Sequence, residues 1–183
     1  MQDIHAVEDL IRIFNELFIP SLNTELVAGE SEPIYLPANE QHPHNRIIFA
    51  HGFFSSALHE IAHWSVAGPA RRQLEDFGYW YKPDGRTWVE QAEFERVERR
   101  PQAYEWILSV SCGKRFHFSA DNLSSGLGPS EAFQRSVLMC VHNTLAEGMN
   151  PRLHALSERL RKFYQQPELS PHRFFLPELQ SAS

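Results

Sequence analysis

Arg46-Ile47-Ile48-Phe49-Ala50-His51-Gly52-Phe53-Phe54-Ser55-Ser56-Ala57-Leu58-His59-Glu60-Ile61-Ala62-His63-Trp64 is the stretch on which the fold turns. Its first five residues form a short, mostly apolar run, the pattern of a buried strand. Beyond Gly52 the spacing changes to that of a helix. Leu58, Ile61 and Ala62 give it an apolar side, Ser55 or Ser56 is available as its cap, and Gly68-Pro69 stops it. A strand end that runs straight into a helix is a common address for chemistry. His59 and His63 lie about 40° apart around the helix and roughly 6 Å apart along it. Both imidazoles can therefore reach one metal ion, while Glu60 projects from the next position around. The chain has ten histidines, so a pair four apart is weak by itself. The glutamate between them and the apolar setting, in which an unpartnered imidazole is costly, point to metal ligands.

The bulk composition sets the frame. The 183 residues are 42% hydrophobic and 22% charged, enough for one domain with a proper core. The net charge of −6 argues against general affinity for nucleic-acid phosphates and suits a cationic substrate or partner. Cys112 and Cys140 make no disulfide framework and no CxxC, as expected of reduced thiols in a cytoplasmic protein. The N-terminus has no secretory pattern and no window reaches the length of a membrane span, so the expectation is a soluble, cytoplasmic chain with no membrane or nucleic-acid partner.

Outward from the central stretch, Val7, Leu10, Ile11, Phe14, Leu17 and Phe18 predict an amphipathic helix ended by Pro20. Thr24–Val27 and Ile34–Leu36 read as short strands and Gln41–Asn45 as a loop. A short helix is expected after Pro69, then an aromatic strand Asp76–Tyr81 closed by the turn Lys82–Gly85. A second long helix is expected from Thr87 to Ser111, kinked at Pro101. Arg115–Ser119 reads as one more strand. Helices follow from Glu131 to Glu147, ended by Gly148, and from Pro151 to about Tyr164. The fold class is α+β, a single domain in which a small mixed sheet packs with several helices. The domain is placed at residues 1–166, with an extended C-terminal tail at 167–183 whose Phe174-Phe175 pair is available for docking.

Two histidines rarely complete a metal site. The long helix offers Glu98 and Glu105, both on the stripe Phe94, Glu98, Pro101, Glu105, Leu108. A carboxylate on a partly apolar face needs a partner, but helical spacing does not separate the two.

Several runs together resemble the elongation factor P hydroxylase family: Glu32–Pro37, Arg46–Phe53, His59–Trp64, Asp76–Tyr81 with Pro83–Arg86, and Phe94–Glu98 before Pro101-Gln102-Ala103. The resemblance covers about residues 7 to 169, with the motifs in order. It implies a non-haem Fe(II) enzyme, a dioxygen-using monooxygenase that hydroxylates the lysine side chain of elongation factor P after β-lysine has been attached. It also implies a 2-His-1-carboxylate site on His59, His63 and Glu98, which is how the choice between the two carboxylates is made. Glu60 is then expected behind the ligands or in proton handling, as the catalytic residue. Asp76, Asp84 and Tyr79-Trp80-Tyr81 are candidates for lining a groove for the cationic arm.

Three other classes compete. A zinc-dependent HExxH hydrolase, a peptidase with Glu60 as general base, shares the helix signature. Its longer metzincin form fails, because Val66 and Pro69 stand where glycine and a third histidine belong. A metal-dependent ribonuclease rests on fold analogy alone. A binding module with a structural metal is the last.

Overall fold

In the computed structural model, which describes residues 4–76, 87–119 and 129–176, the central stretch makes the expected passage from strand to helix. β1 (Thr24–Ala28), β2 (Ile34–Leu36) and β3 (Asn45–Phe49) form a three-stranded sheet in the order β1-β3-β2. β3 is central. It runs parallel to β1, with Leu26 opposite Ile47 and Ala28 opposite Phe49, and antiparallel to β2, with Ile34 opposite Ile48. After Phe49 the chain makes a single 3-10 turn in which His51 and Gly52 both take positive φ, at 59° and 65°. This left-handed step costs a non-glycine residue about 1–2 kcal/mol, and the His51 amide is held through it by Glu30 O at 2.9 Å. The His51 side chain is exposed.

The turn launches α2 (Phe54–Val66), which lies along β3 with Ala57, Leu58, Ile61 and Ala62 fully buried. Neither Ser55 nor Ser56 caps it. The cap position is Phe53, without a side-chain bond, because the turn starts the helix ahead of both serines. The other end of α2 is tied down from a distance: Asn150 Nδ2 donates to Ser65 O, and Arg152 Nη2 to Ser65 O and Ala67 O, each at 2.8 Å. A cation on the last carbonyls of a helix satisfies orphan acceptors and complements the dipole.

α1 (Val7–Leu22) precedes the sheet and buries Leu10, Ile13, Phe14 and Phe18. Pro20 does not end it; the helix continues to Leu22 and closes on Asn23 in the left-handed conformation. The proline falls in the last, solvent-facing turn, where its missing N–H forfeits a single exposed bond. The long helix is α3 (Trp88–Ser111), opened by Thr87 in a reciprocal capping box with Glu90 and continuous through Pro101. It packs on α2, on α4 (Glu131–Glu147) and on α5 (Pro151–Phe163). α4 and α5 begin at the caps Ser130 and Asn150.

Arg115–Ser119 is not a strand. Its alternation is real, with Phe116 and Phe118 half-buried and Arg115 and His117 exposed, but it pairs with no strand among the described residues. Side chains hold it instead. Phe116 stacks on Trp106 at 5.1 Å, and Gln102 Nε2 donates to Ser119 O at 2.6 Å. Asp76 pairs with Tyr35 in an isolated bridge; the rest of the expected aromatic strand and its turn, residues 77–86, lie outside the described residues. Phe174 docks against Trp106 and is 2% exposed, whereas Phe175 points outward. Among the described residues no helix is long and apolar enough to cross a membrane. A small mixed sheet under several helices is the α+β architecture expected.

Candidate metal centre

The inward stripe of α2 leaves His59, Glu60 and His63 at its half-buried margin. α3 packs against that margin and presents polar groups at Glu98, Gln102 and Glu105, an i, i+4, i+7 row within a largely buried stretch. His59, His63 and Glu98 meet there, their ligand atoms all within 4.8 Å of one another. Nε2 of His63 is 3.1 Å from Nε2 of His59 and 2.9 Å from Oε1 of Glu98, while Nε2 of His59 is 3.8 Å from Oε2 of Glu98. The rings are 4.7 Å apart and 72° off parallel.

Protons alone do not satisfy this arrangement. Nε2 of His63 cannot donate to Glu98 and accept from His59 at once. Glu98, only 4% exposed, is left with Oε2 buried and without a hydrogen-bond partner. One cation that accepts lone pairs from all three residues removes both conflicts. Two of the three edges fit as well, since ligands on adjacent corners about 2.1 Å from one ion stand about 3 Å apart.

The two carboxylates on α3 take different parts. His59 Nδ1–H donates to Glu105 Oε2 at 2.8 Å, which turns Nε2 toward His63 and Glu98. Glu105 is therefore the carboxylate behind His59, and Glu98 the one inside the cluster. Sequence reasoning placed both residues on one stripe but saw no role for the second. It also passed over Gln102, whose side chain fastens Ser119 beside the site. The polar row at 98, 102 and 105 on a face that must be buried was the available signal.

Charge follows the same geometry. Burial opposes a charged imidazole at His59, but Glu105, by charge and by hydrogen bond, then Glu98 and Glu60, lift its pKa to about 10. Burial favours the neutral acid at Glu98, yet the charge and hydrogen bond of His63, then the charge of His59, hold it down to about 2. In the metal-free protein the His59 contribution to stability is complete below its ordinary value of 6.5 and fades as pH rises through about 10. The Glu98 contribution is complete above 4.5 and fades as pH falls through about 2. Both are whole between those values. A metal ion must expel the His59 proton, so near neutrality binding of one divalent ion releases about one proton and tightens about tenfold per pH unit. Calorimetry in buffers of different protonation enthalpy measures this directly; zero release would mean a neutral imidazole beforehand. Glu105→Gln keeps the shape but loses the charge, and metal affinity should fall roughly 10- to 100-fold in a competitive chelator titration.

Glu60 stands apart from the cluster. It faces a small cleft between α2, the sheet edge and the 71–76 segment, together with His63, Tyr35, Arg71, Arg72 and Asp76. Burial, first, and then Glu98 and Glu105 push its pKa up against the pull of His59 and His63. Asp76, expected in a groove, is in this cleft but is ion-paired with Arg71 at 2.6 Å. Asp84 and Tyr79-Trp80-Tyr81 lie outside the described residues.

Residues 13–174 match the family model described as elongation factor P hydroxylase. A protein of Haemophilus influenzae named elongation factor P lysine hydroxylase is 52% identical over 160 residues, which span 87% of this chain and 90% of that relative.

Proposed function

This chain belongs to the elongation factor P hydroxylase family, it hydroxylates a lysine of elongation factor P, and we propose that it does so as a non-haem Fe(II) monooxygenase acting on the β-lysylated side chain. His59, His63 and Glu98 would hold the iron, and an iron ion so held supplies activation of dioxygen. The observation that carries this reading is the meeting of three lone-pair atoms that no placement of protons satisfies. The protein's own residues do the rest. Glu105 keeps the His59 Nδ1 proton in place, so that Nε2 stays directed inward. Glu98, held ionised and buried, offsets positive charge within the cluster. The cleft beside His63 lies at the edge of the site, where we place the substrate's side chain. We place the enzyme in the cytoplasm with its protein substrate and assign it no membrane or nucleic-acid partner.

The test is the intact mass of β-lysylated elongation factor P after incubation with the iron-loaded protein, under air and under nitrogen. A gain of one oxygen atom under air alone is expected. Zinc in the purified protein together with Glu60-dependent peptide cleavage would instead establish the hydrolase.

A further inference from the structure

Two groups in the cleft beside His63 offer bonding capacity of opposite kind. The Glu60 carboxylate accepts no hydrogen bond from any described residue, and the charges that act on it most are those of His59, His63, Glu98 and Glu105, while Arg71 and Arg72 line the same cleft. On the same wall, Arg72 has its Nε buried and without a partner. Its backbone carbonyl is occupied by the Tyr35 hydroxyl at 2.9 Å, and the charge it feels from Arg152 is of its own sign. Arg71 and Asp76, the other ionic groups of the cleft, pair with each other. A buried donor without an acceptor is costly, a half-buried carboxylate that faces the cleft is free to accept, and one ligand can serve both. Such a ligand carries a primary ammonium and, farther along the chain, a carbonyl oxygen.

We infer that this cleft is the slot for an aminoacylated lysine arm: Glu60 accepts from a primary ammonium of the arm, and Arg72 Nε–H donates to its amide oxygen. The inference rests on the substrate reading above and deepens it. It makes Glu60 a contact of the substrate instead of a proton carrier. It also gives a reason for a lysine that has been acylated to fit where a bare one does not, since only the acylated arm brings the carbonyl. The apolar walls of the slot, Ile34, Ile47 and Trp64, suit the methylenes between the two polar ends.

The experiment is calorimetric titration of the Fe(II)-loaded full chain without oxygen, using three peptides. One carries lysine acylated with β-lysine, one the same arm with its amines acetylated, and one unmodified lysine. The expected result is tighter binding of the first than of the second by about 10- to 100-fold, the worth of a charge-assisted hydrogen bond. In Glu60→Gln that preference disappears while iron content is unchanged, and in Arg72→Gln the preference for acylated over unmodified lysine falls about tenfold. Retention of the charge preference in Glu60→Gln overturns the inference, as does unchanged binding with turnover lost only at saturation, the signature of proton handling. Free lysine, which carries an ammonium and a carboxylate, is the control; if it binds more tightly than the arm, the slot belongs to an amino acid. Hydroxylation without any charge preference sinks the slot and leaves the hydroxylase standing. The charge preference without hydroxylation does the reverse.

Discussion

On the proposed iron site, Glu98→Ala is expected to leave a folded protein that no longer retains iron and no longer adds oxygen to elongation factor P. The reason is local and physical. Glu98 is 4% exposed, its Oε1 lies 2.9 Å from His63 Nε2, and its Oε2 has no other partner. Without it the cluster is two imidazoles, and two neutral ligands hold a divalent ion poorly. The loss of metal affinity should exceed the roughly hundredfold that removal of an outer partner brings, so Glu98→Ala must be far worse than Glu105→Gln. Metal content after dialysis, chelator titration and the mass of the product check this, and the melting temperature of the metal-free variant separates it from unfolding. Should the order be reversed, with Glu105 indispensable and Glu98 expendable, the ligand assignment is wrong, because the two carboxylates have then exchanged parts.

Phe14→Ala costs about 3–5 kcal/mol of stability, a large share of what a domain of this size possesses. Phe14 is completely buried; its ring lies 4.7 Å from that of Phe18 and 5.3 Å from that of Trp64. Trp64 follows His63 directly and carries the Arg152 guanidinium 5.2 Å above its ring. The cavity would thus open behind the metal helix, and α1 and α2 would lose their shared wall. Urea unfolding of the metal-free protein measures the change, and iron raises the midpoint of both proteins because the ion binds only the folded state. A loss below about 1 kcal/mol would mean that α1 is not integral to the core that supports the site.

Much of this was legible in the chain because it depends on neighbours in sequence. A helical step of four places His59 and His63 together whatever the rest of the protein does. The strand before them, the helices at 131–147 and 151–163 and their ends follow from apolar spacing, Gly148 and Pro151. Local rules failed where a distant partner intervened. α1 runs through Pro20 because that turn faces solvent, and α2 begins ahead of its serines because the preceding turn sets its start. Arg115–Ser119 keeps a strand's alternation without a strand's ladder, since Trp106 and Gln102 supply what a neighbouring strand would have.

The choice between the carboxylates shows the division most clearly. Glu98 and Glu105 are seven residues apart, two turns on one face, and nothing within a single helix distinguishes them. The family resemblance pointed to Glu98, but the part played by Glu105 could not be read from the chain. How α3 crosses α2 decides both, by bringing Glu98 to the Nε2 side of the imidazoles and Glu105 to the Nδ1 side of His59. The chain alone determined a histidine pair ready for a metal. Only the packing of one helix on another decided which acid meets the pair, which one hydrogen-bonds behind His59 and where Glu60 looks, because those are distances between residues some forty positions apart.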